Sequence, residues 1–330
     1  MNKIFYFFLT SLFLCFFGWA KTADNEIISQ PINIVYATDS NYVTYMRTSI
    51  RSVIANKKPD TQIKIYVIGY ELSDENIKLI KETAVKNVQI EFVPVTRDLF
   101  LSHHLDKRSE KTPNVTLVDN SKFFLTSLLK DVDKVIYLDG DTIVLKDLSD
   151  LYAVDLKNFY VAVVDDWQTG WFKNPKRRYF NNGVMLMNLK KMRQDGIEDK
   201  LIRYKKHERK ARFVTQDAFN FVMYKKALFL PMTYNTFSPE YDDEKNLLSR
   251  IKEVLKEKYN PDLYPYETAQ EYRKNVVIIH FCGYKNEKPW QALDFYRPSN
   301  QIWYKYVPPE FWVNVFNAVQ DDKEDKQDVK

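Results

Sequence analysis

Glycine is scarce in this chain: seven among 330 residues, and none between Gly18 and Gly69. The first strand-like run of the globular part falls inside that gap. No glycine-rich loop therefore follows it to cradle a triphosphate, which argues against a sugar nucleotidyltransferase. Cysteine is scarcer still. Cys15 lies in an apolar N-terminal stretch, and Cys282 is the only other one. A domain that starts after that stretch has no internal disulfide and must be held by its core. Charge of one sign is also missing as a block. Lys plus Arg number 49 against 44 Asp plus Glu, a net +5, with the signs interspersed. Such a pattern carries no nucleic-acid footprint.

What is present begins with a long apolar run. After Lys3 comes IFYFFLTSLFLCFFGWA, ending at Ala20 and followed by the polar KTADNE. A basic start, an apolar middle and a small-residue exit predict a signal peptide or signal anchor over residues 1–22. The expected location is then the secretory pathway, the periplasm or a membrane reached through residues 4–20. The chain as a whole is 45% hydrophobic and 15% aromatic, which suffices for one large core. At the other end, QDDKEDKQDVK (320–330) has Val329 as its only apolar residue, and residues 313–330 are expected to be a charged, disordered tail.

Between these ends, strand-like and helix-like runs alternate. INIVYAT (32–38), IKIYVIG (63–69) and VQIEFVPV (88–95) read as strands. NYVTYMRTSIRSVIAN (41–56) places Tyr42, Met46, Ile50, Val53 and Ile54 at helical spacing, and a second helix starts near Ser73. This order predicts an α/β domain with a mostly parallel central sheet flanked by helices. SKFFLTSLLKD (121–131) reads as a further helix. KVIYLD (134–139), FYVAVVDD (159–166), GVMLMNL (183–189), ALFLPMTYN (227–235) and NVVIIHF (275–281) read as further strands.

One of these runs contains an anomaly. VIYLDGDTIV (135–144) sets two aspartates around a glycine within apolar sequence. Side chains two apart on an extended chain share a side, so Asp139 and Asp141 would aim at one point past the strand end. In open α/β sheets ligands bind at that end. Two close carboxylates need a proton or a cation between them, and oxygen ligands favour Mg²⁺ or Mn²⁺. The triplet alone decides nothing. With 27 aspartates, about two Asp-x-Asp triplets arise by chance, and the chain has two. The other, Asp131/Asp133, falls at a helix-to-strand turn, where solvation explains it.

Five blocks, in order, resemble glycosyltransferase family 8. They are INIVYATDSNYVTYMRTSIRSV, KVIYLDGDTIVLKDLSDLY, YFNNGVMLMNLKKMR, TQDAFNFV and VIIHFCGYKNEKPW, spanning roughly residues 31–292. The resemblance implies a single GT-A-like (Rossmann-like) domain, taken as 31–312, with a retaining, metal-dependent hexosyltransferase activity. It implies that Ala37, Thr38, Asp39, Asn41 and Tyr42 hold the uridine, although Asp39 and Asn41 could equally start the following helix. His280 becomes the third metal ligand beside Asp139 and Asp141. Gly140, Gly283 and Lys288 would approach the diphosphate, and Lys122 stands where many members have a donor-facing arginine. Asn181, Gln216, Asp217 and Asp165 or Asp166 would face the donor sugar. Thr215 replaces the first aspartate of the family's Asp-Gln-Asp, which leaves the sugar open. The loop before KPW is longer than in bacterial lipopolysaccharide α-galactosyltransferases, so Lys285 could share the work of Lys288.

The expected reaction is transfer of a hexose from a UDP-sugar to a hydroxyl of a glycan or glycolipid acceptor. Mn²⁺ or Mg²⁺ would assist departure of UDP. A glutamine is a feeble nucleophile, so same-face attack is expected, with a covalent route through Asp217 or Asp166 as the alternative. A non-catalytic binding protein of the same fold is the remaining rival. Nothing in the sequence sets the oligomeric state.

Overall fold

The computed structural model describes residues 30–103, 105, 117–166, 178–207, 214–256, 266, 268–282 and 288–316. Contacts divide the chain at Gln30/Pro31, and all of its helices and strands among these residues belong to the unit that begins at Pro31. The first half of that unit is regular: β1 (Ile32–Asp39), α1 (Val43–Asn56), β2 (Ile63–Tyr70), α2 (Asp74–Lys81) and β3 (Val88–Val95). Then come α3 (Arg97–Leu101), a 3₁₀ segment (Leu117–Phe124), α4 (Leu125–Leu128), β4 (Lys134–Leu138), β5 (Thr142–Val144) and α5 (Ser149–Ala153). The second half contributes β6 (Val161–Asp165), β7 (Phe180–Asn188), α6 (Leu189–Gln194), α7 (Ile197–His207), α8 (Val214–Met223), β8 (Ala227–Phe229), β9 (Thr236–Phe237) and β10 (Ile278–His280).

Seven strands form the main sheet in the order β3-β2-β1-β4-β7-β6-β8. β7 runs antiparallel to both of its neighbours, and the other pairs are parallel. The apolar runs follow from burial on both faces. Successive residues of β4 enter two different cores. Ile136 and Leu138 join Ile34, Tyr36 and Val67 on one face, while Val135 and Tyr137 join Val35, Tyr66 and Ile68 on the other. β3 lies at the edge, where its Pro94 withholds no needed donor from a further strand. Ser73 caps α2 by accepting from the Asn76 N–H at 3.2 Å, and Asp74 and Glu75 occupy its first turn.

The second sheet is small, in the order β5-β10-β9. It turns the chain just past β4 into an antiparallel partner for β10. That pairing fixes where the end of β4 and the end of β10 meet.

Several expectations are revised. Residues 121–131 form the end of the 3₁₀ segment and a single turn of α-helix rather than one helix. Pro231 interrupts 227–235, leaving β8 and a 3₁₀ turn (Met232–Tyr234) instead of one strand, and β9 begins only at Thr236. Residues 309–316 are helical, so regular structure continues past 312, and 317–330 lie outside the described residues. The secretory or membrane location expected from residues 1–22 is corrected. Among the described residues no helix is long and apolar enough to cross a membrane, and residues 1–22 lie outside them.

Candidate functional site

Asp139 leaves the end of β4 with its N–H held by the Gly183 carbonyl of β7 at 2.7 Å. Two residues on, Asp141 begins the β5 arm, and pairing of β5 with β10 sets His280 opposite Thr142. The Phe281 N–H closes the pair on the Asp141 carbonyl at 2.9 Å. His280 Nε2 consequently stands 3.2 Å from Asp141 Oδ1 and 3.9 Å from Asp139 Oδ2. One ligand atom from each of the three residues lies within 4.8 Å of the others, so the group could hold a metal ion. His280 is 2% exposed and Asp141 7%. Oxygen, oxygen and imidazole nitrogen suit Mn²⁺ or Mg²⁺, the imidazole tilting the choice towards Mn²⁺.

The space between these ligands is kept open by a glycine. A Cβ added at Gly183 would lie 2.2 Å from His280 Cε1 and 2.6 Å from Asp139 Oδ2. Any side chain at this position would intrude on the ligands themselves, so the residues fit an ion.

Two lysines balance the carboxylates. Lys122 Nζ, almost fully buried, donates to Asp139 Oδ1 at 2.7 Å and sits 4.8 Å above the Tyr137 ring, whose hydroxyl donates to the same oxygen. Lys288 pairs with Asp141 and also reaches the Phe281 carbonyl. Burial works to raise the Asp141 pKa, but the charges and hydrogen bonds of Lys288 and His280 outweigh it and hold the carboxyl well below its usual range. Lys288 is brought there by Trp290, which stacks on Tyr45 of α1 with centroids 4.0 Å apart and meets Tyr42 edge-on. Gly140 fits beneath Tyr42: a Cβ there would stand 3.1 Å from its ring.

The end of β1 and the turn after it carry the expected uridine residues. Ala37 and Asp39 are partly exposed and Asn41 is exposed, whereas Thr38 is fully buried with its hydroxyl turned to the Asp39 carbonyl. Asp39 Oδ1 accepts from the Asn41 N–H at 3.0 Å, and the N-cap of α1 is Tyr42, without a side-chain cap. Asp39 therefore shapes the turn that leads into α1, although neither it nor Asn41 is the N-cap. Gly283 and Lys285 lie outside the described residues.

A second polar cluster adjoins the first. Asn220 grips both the N–H and the carbonyl of Phe180 at 2.8 Å, docking α8 on β7. One helical turn earlier, Gln216 shares that face of α8 and meets the β7 backbone. Its Oε1 accepts from Asn181 Nδ2 (3.1 Å) and from the Asn182 N–H (3.3 Å), and its Nε2 donates to Asp166 Oδ2 at 2.8 Å. Asp217 accepts from the Tyr179 hydroxyl at 2.5 Å, and Asn182 donates to Thr215. Burial, then Asp217, pushes the Tyr179 hydroxyl far up, so it stays a donor. Of the two aspartates at the end of β6, Asp165 is paired with Arg178 while Asp166 joins Gln216. Sequence reasoning left that choice open.

It also missed four residues: Gly183, Tyr179, Asn220 and Asn235. Asn235, fully buried, joins the two clusters. Its Oδ1 meets His280 Nδ1 at 3.0 Å and its Nδ2 donates to Asn181 Oδ1 at 3.1 Å. The available signal was a polar residue closing the apolar run ALFLPMTYN. Asp131 and Asp133, by contrast, are exposed, and Asp133 pairs with Lys190 and Arg193.

Comparison with known proteins gives a consistent outcome. The family model described as glycosyl transferase family 8 matches residues 33–294. The chain is 26% identical to General stress protein A of Bacillus subtilis (strain 168) over 87% of this chain and 96% of that protein. It is 24% identical to the lipopolysaccharide 1,2-glucosyltransferase of Escherichia coli (strain K12) over 84% of this chain and 78% of the other. In fold it is similar to the galactosyltransferase LgtC, solved with donor and acceptor sugar analogues. There the TM-score is 0.68 at 23% identity, covering 85% of this chain and 99% of that one. A strand-end carboxylate pair, a histidine delivered by a second sheet and a family match over most of the chain lead to one conclusion: this protein is a glycosyltransferase, and it belongs to glycosyl transferase family 8.

Proposed function

We propose that the protein transfers a hexose from a UDP-sugar to a hydroxyl of a glycan or lipopolysaccharide-type acceptor, with retention of anomeric configuration. The observation that carries the proposal is the Asp139–Asp141–His280 group around the gap that Gly183 keeps open. The relatives named as lipopolysaccharide glucosyltransferases support the acceptor class. LgtC, solved with donor and acceptor sugar analogues, supports a sugar donor and acceptor held on one such domain.

A divalent ion held by Asp139, Asp141 and His280, Mn²⁺ in preference to Mg²⁺, supplies charge stabilisation to a leaving diphosphate. The protein's own residues do the rest. Ala37 and Asp39 at the end of β1, with Asn41 and Tyr42 in the turn after it, take the uridine. Lys288, already beside the carboxylates, turns to the diphosphate once its charge arrives, with Gly140 leaving room for close approach. Asn181, Gln216 and Asp166 line the donor-sugar side. Gln216 is unsuited to attack, because its oxygen already accepts two hydrogen bonds and its nitrogen is committed to Asp166. That favours same-face attack, in which the departing phosphate takes the acceptor proton.

Release of UDP from a panel of UDP-hexoses, with Mn²⁺ or with EDTA, tests the proposal. Mn²⁺-dependent release from at least one donor is expected. Binding of UDP-sugars without release from any would leave the transferase reading without support. Recovery of a peptide glycosylated at Asp217 or Asp166 by mass spectrometry would replace same-face attack by a covalent route.

A further inference from the structure

We infer that Asn235 is a positioning residue that sets the His280 ring for the metal and, with its other end, the Asn181–Gln216 arrangement for the donor sugar. The inference rests on the proposed metal site and adds to it a residue that ties the two halves of the centre together.

Backbone donors on β7 set the orientation of each amide. A backbone N–H can only donate. The Gly183 N–H points at Asn181 Oδ1 at 2.9 Å, and the Asn182 N–H at Gln216 Oε1 at 3.3 Å. Those two contacts fix which end of each amide is oxygen. Asn181 must then turn its NH₂ to Gln216 Oε1, and Gln216 its NH₂ to Asp166. Asn181 Oδ1 keeps one lone pair, which Asn235 Nδ2 fills at 3.1 Å. With its nitrogen so committed, Asn235 can present only Oδ1 to His280 Nδ1, 3.0 Å away. The proton of the neutral imidazole is thereby held on Nδ1, and Nε2 faces Asp139 and Asp141 with its lone pair available.

Four side chains thus form a run with one polarity, from imidazole to Asn235 to Asn181 to Gln216 and on to the Asp166 carboxylate. All are buried: Asn235 is 0% exposed, and Asn181 and Gln216 are 7%. A carboxylate at position 235 would serve His280 equally well. It would also bring a third negative charge close to two aspartates and a diphosphate, and it would face Asn181 Oδ1 with an acceptor. An amide is the group that satisfies both neighbours.

The two ends of Asn235 can be separated by substitution. Asn235→Ala removes both contacts, and Asn235→Asp keeps the acceptor for His280 while losing the donor to Asn181. Binding of Mn²⁺ alone is followed by electron paramagnetic resonance of the free ion, alongside kcat for UDP release and the thermal midpoint. Asn235→Ala should weaken Mn²⁺ binding about 10- to 100-fold. Asn235→Asp should hold Mn²⁺ within about threefold of the unaltered protein yet lose about tenfold or more in kcat. A merely structural residue would lower the midpoint without splitting affinity from turnover. Unchanged Mn²⁺ affinity in Asn235→Ala, or equal loss in both variants, would overturn the inference while the metal site stands. Because Asn235→Asp is nearly isosteric, it decides the matter even if Asn235→Ala does not fold. Failure of the unaltered protein to bind Mn²⁺ would overturn the metal site itself, and the inference with it.

Discussion

Asp131-Val-Asp133 and Asp139-Gly-Asp141 are the same pattern eight residues apart, and they end in opposite circumstances. Asp131 and Asp133 sit on an exposed turn. There Asp133, 61% exposed, meets Lys190 and Arg193 at 3.3 and 3.0 Å in water. Asp139 and Asp141 lie past a strand buried on both faces, against a buried histidine and two lysines. The difference teaches that spacing carries no chemistry of its own. A carboxylate pair acquires it from low exposure, from a neighbour that brings a nitrogen ligand, and from a glycine that keeps the intervening space empty.

The largest effect should separate the two pairs by activity. Asp139→Ala or Asp141→Ala should cut Mn²⁺-dependent UDP release by at least about a hundredfold. Asp131→Ala and Asp133→Ala should stay within about twofold, since exposed pairs contribute little. Comparable losses in both pairs, measured as initial rates, would erase the distinction.

Gly183→Ala probes the gap without replacing a ligand. The added methyl meets His280 and Asp139, so Mn²⁺ binding should be lost, with stability falling by about 1–3 kcal/mol from overpacking. Resonance titration and urea unfolding give the two readouts.

Metal-linked stability sharpens the same contrast. At Mn²⁺ a hundredfold above its dissociation constant the unaltered protein should gain about 2.7 kcal/mol. Asp133→Ala should gain as much, and Asp141→Ala nothing. A gain in Asp141→Ala would place the ion elsewhere.

The smallest effect concerns a third carboxylate, intermediate between the pairs. Asp147 accepts from the N–H groups of Lys58 and Ser149 and from the Thr61 hydroxyl at 2.6–2.8 Å. Burial acts to raise its pKa, but these hydrogen bonds outweigh it and hold it at about 2. A carboxyl depressed by folding stabilises the protein above its ordinary pKa, and the contribution disappears as the pH falls through the folded value. Asp147→Ala should therefore cost about 1 kcal/mol at neutral pH. The difference from the unaltered protein should shrink between about pH 4 and about pH 2. Denaturant midpoints across that range check the sign, with Asp133→Ala as the flat control.

Much of the sheet was legible because its strands are buried on both faces and read as unbroken apolar runs. KVIYLD covered the buried β4 and overran it by one residue, and the alternating VQIEFVPV matched the half-exposed edge strand β3 at both ends. The weaker segments failed where local signals competed. Pro231 broke a run that hydrophobicity alone joined, and SKFFLTSLLKD packs through a 3₁₀ segment whose buried Phe123 and Phe124 override helical spacing. In the site, types that stand out in a sequence were found: aspartates in an apolar run, a histidine ending one, a lysine before PW. Gly183, Asn220 and Asn235 were not, because an amide or a glycine announces nothing until its partners are known.

The sequence by itself determined the layers and the chemistry on offer. Apolar runs buried on both faces make the middle of the sheet, and two carboxylates at a strand end ask for a cation. Tertiary structure decided which groups answer. β10 brings His280 to Asp141 only because it pairs with β5 in the register His280 opposite Thr142, and Asn235 arrives on the chain leading into β9. Such meetings depend on strand pairing between segments far apart in the chain, and no local pattern encodes them.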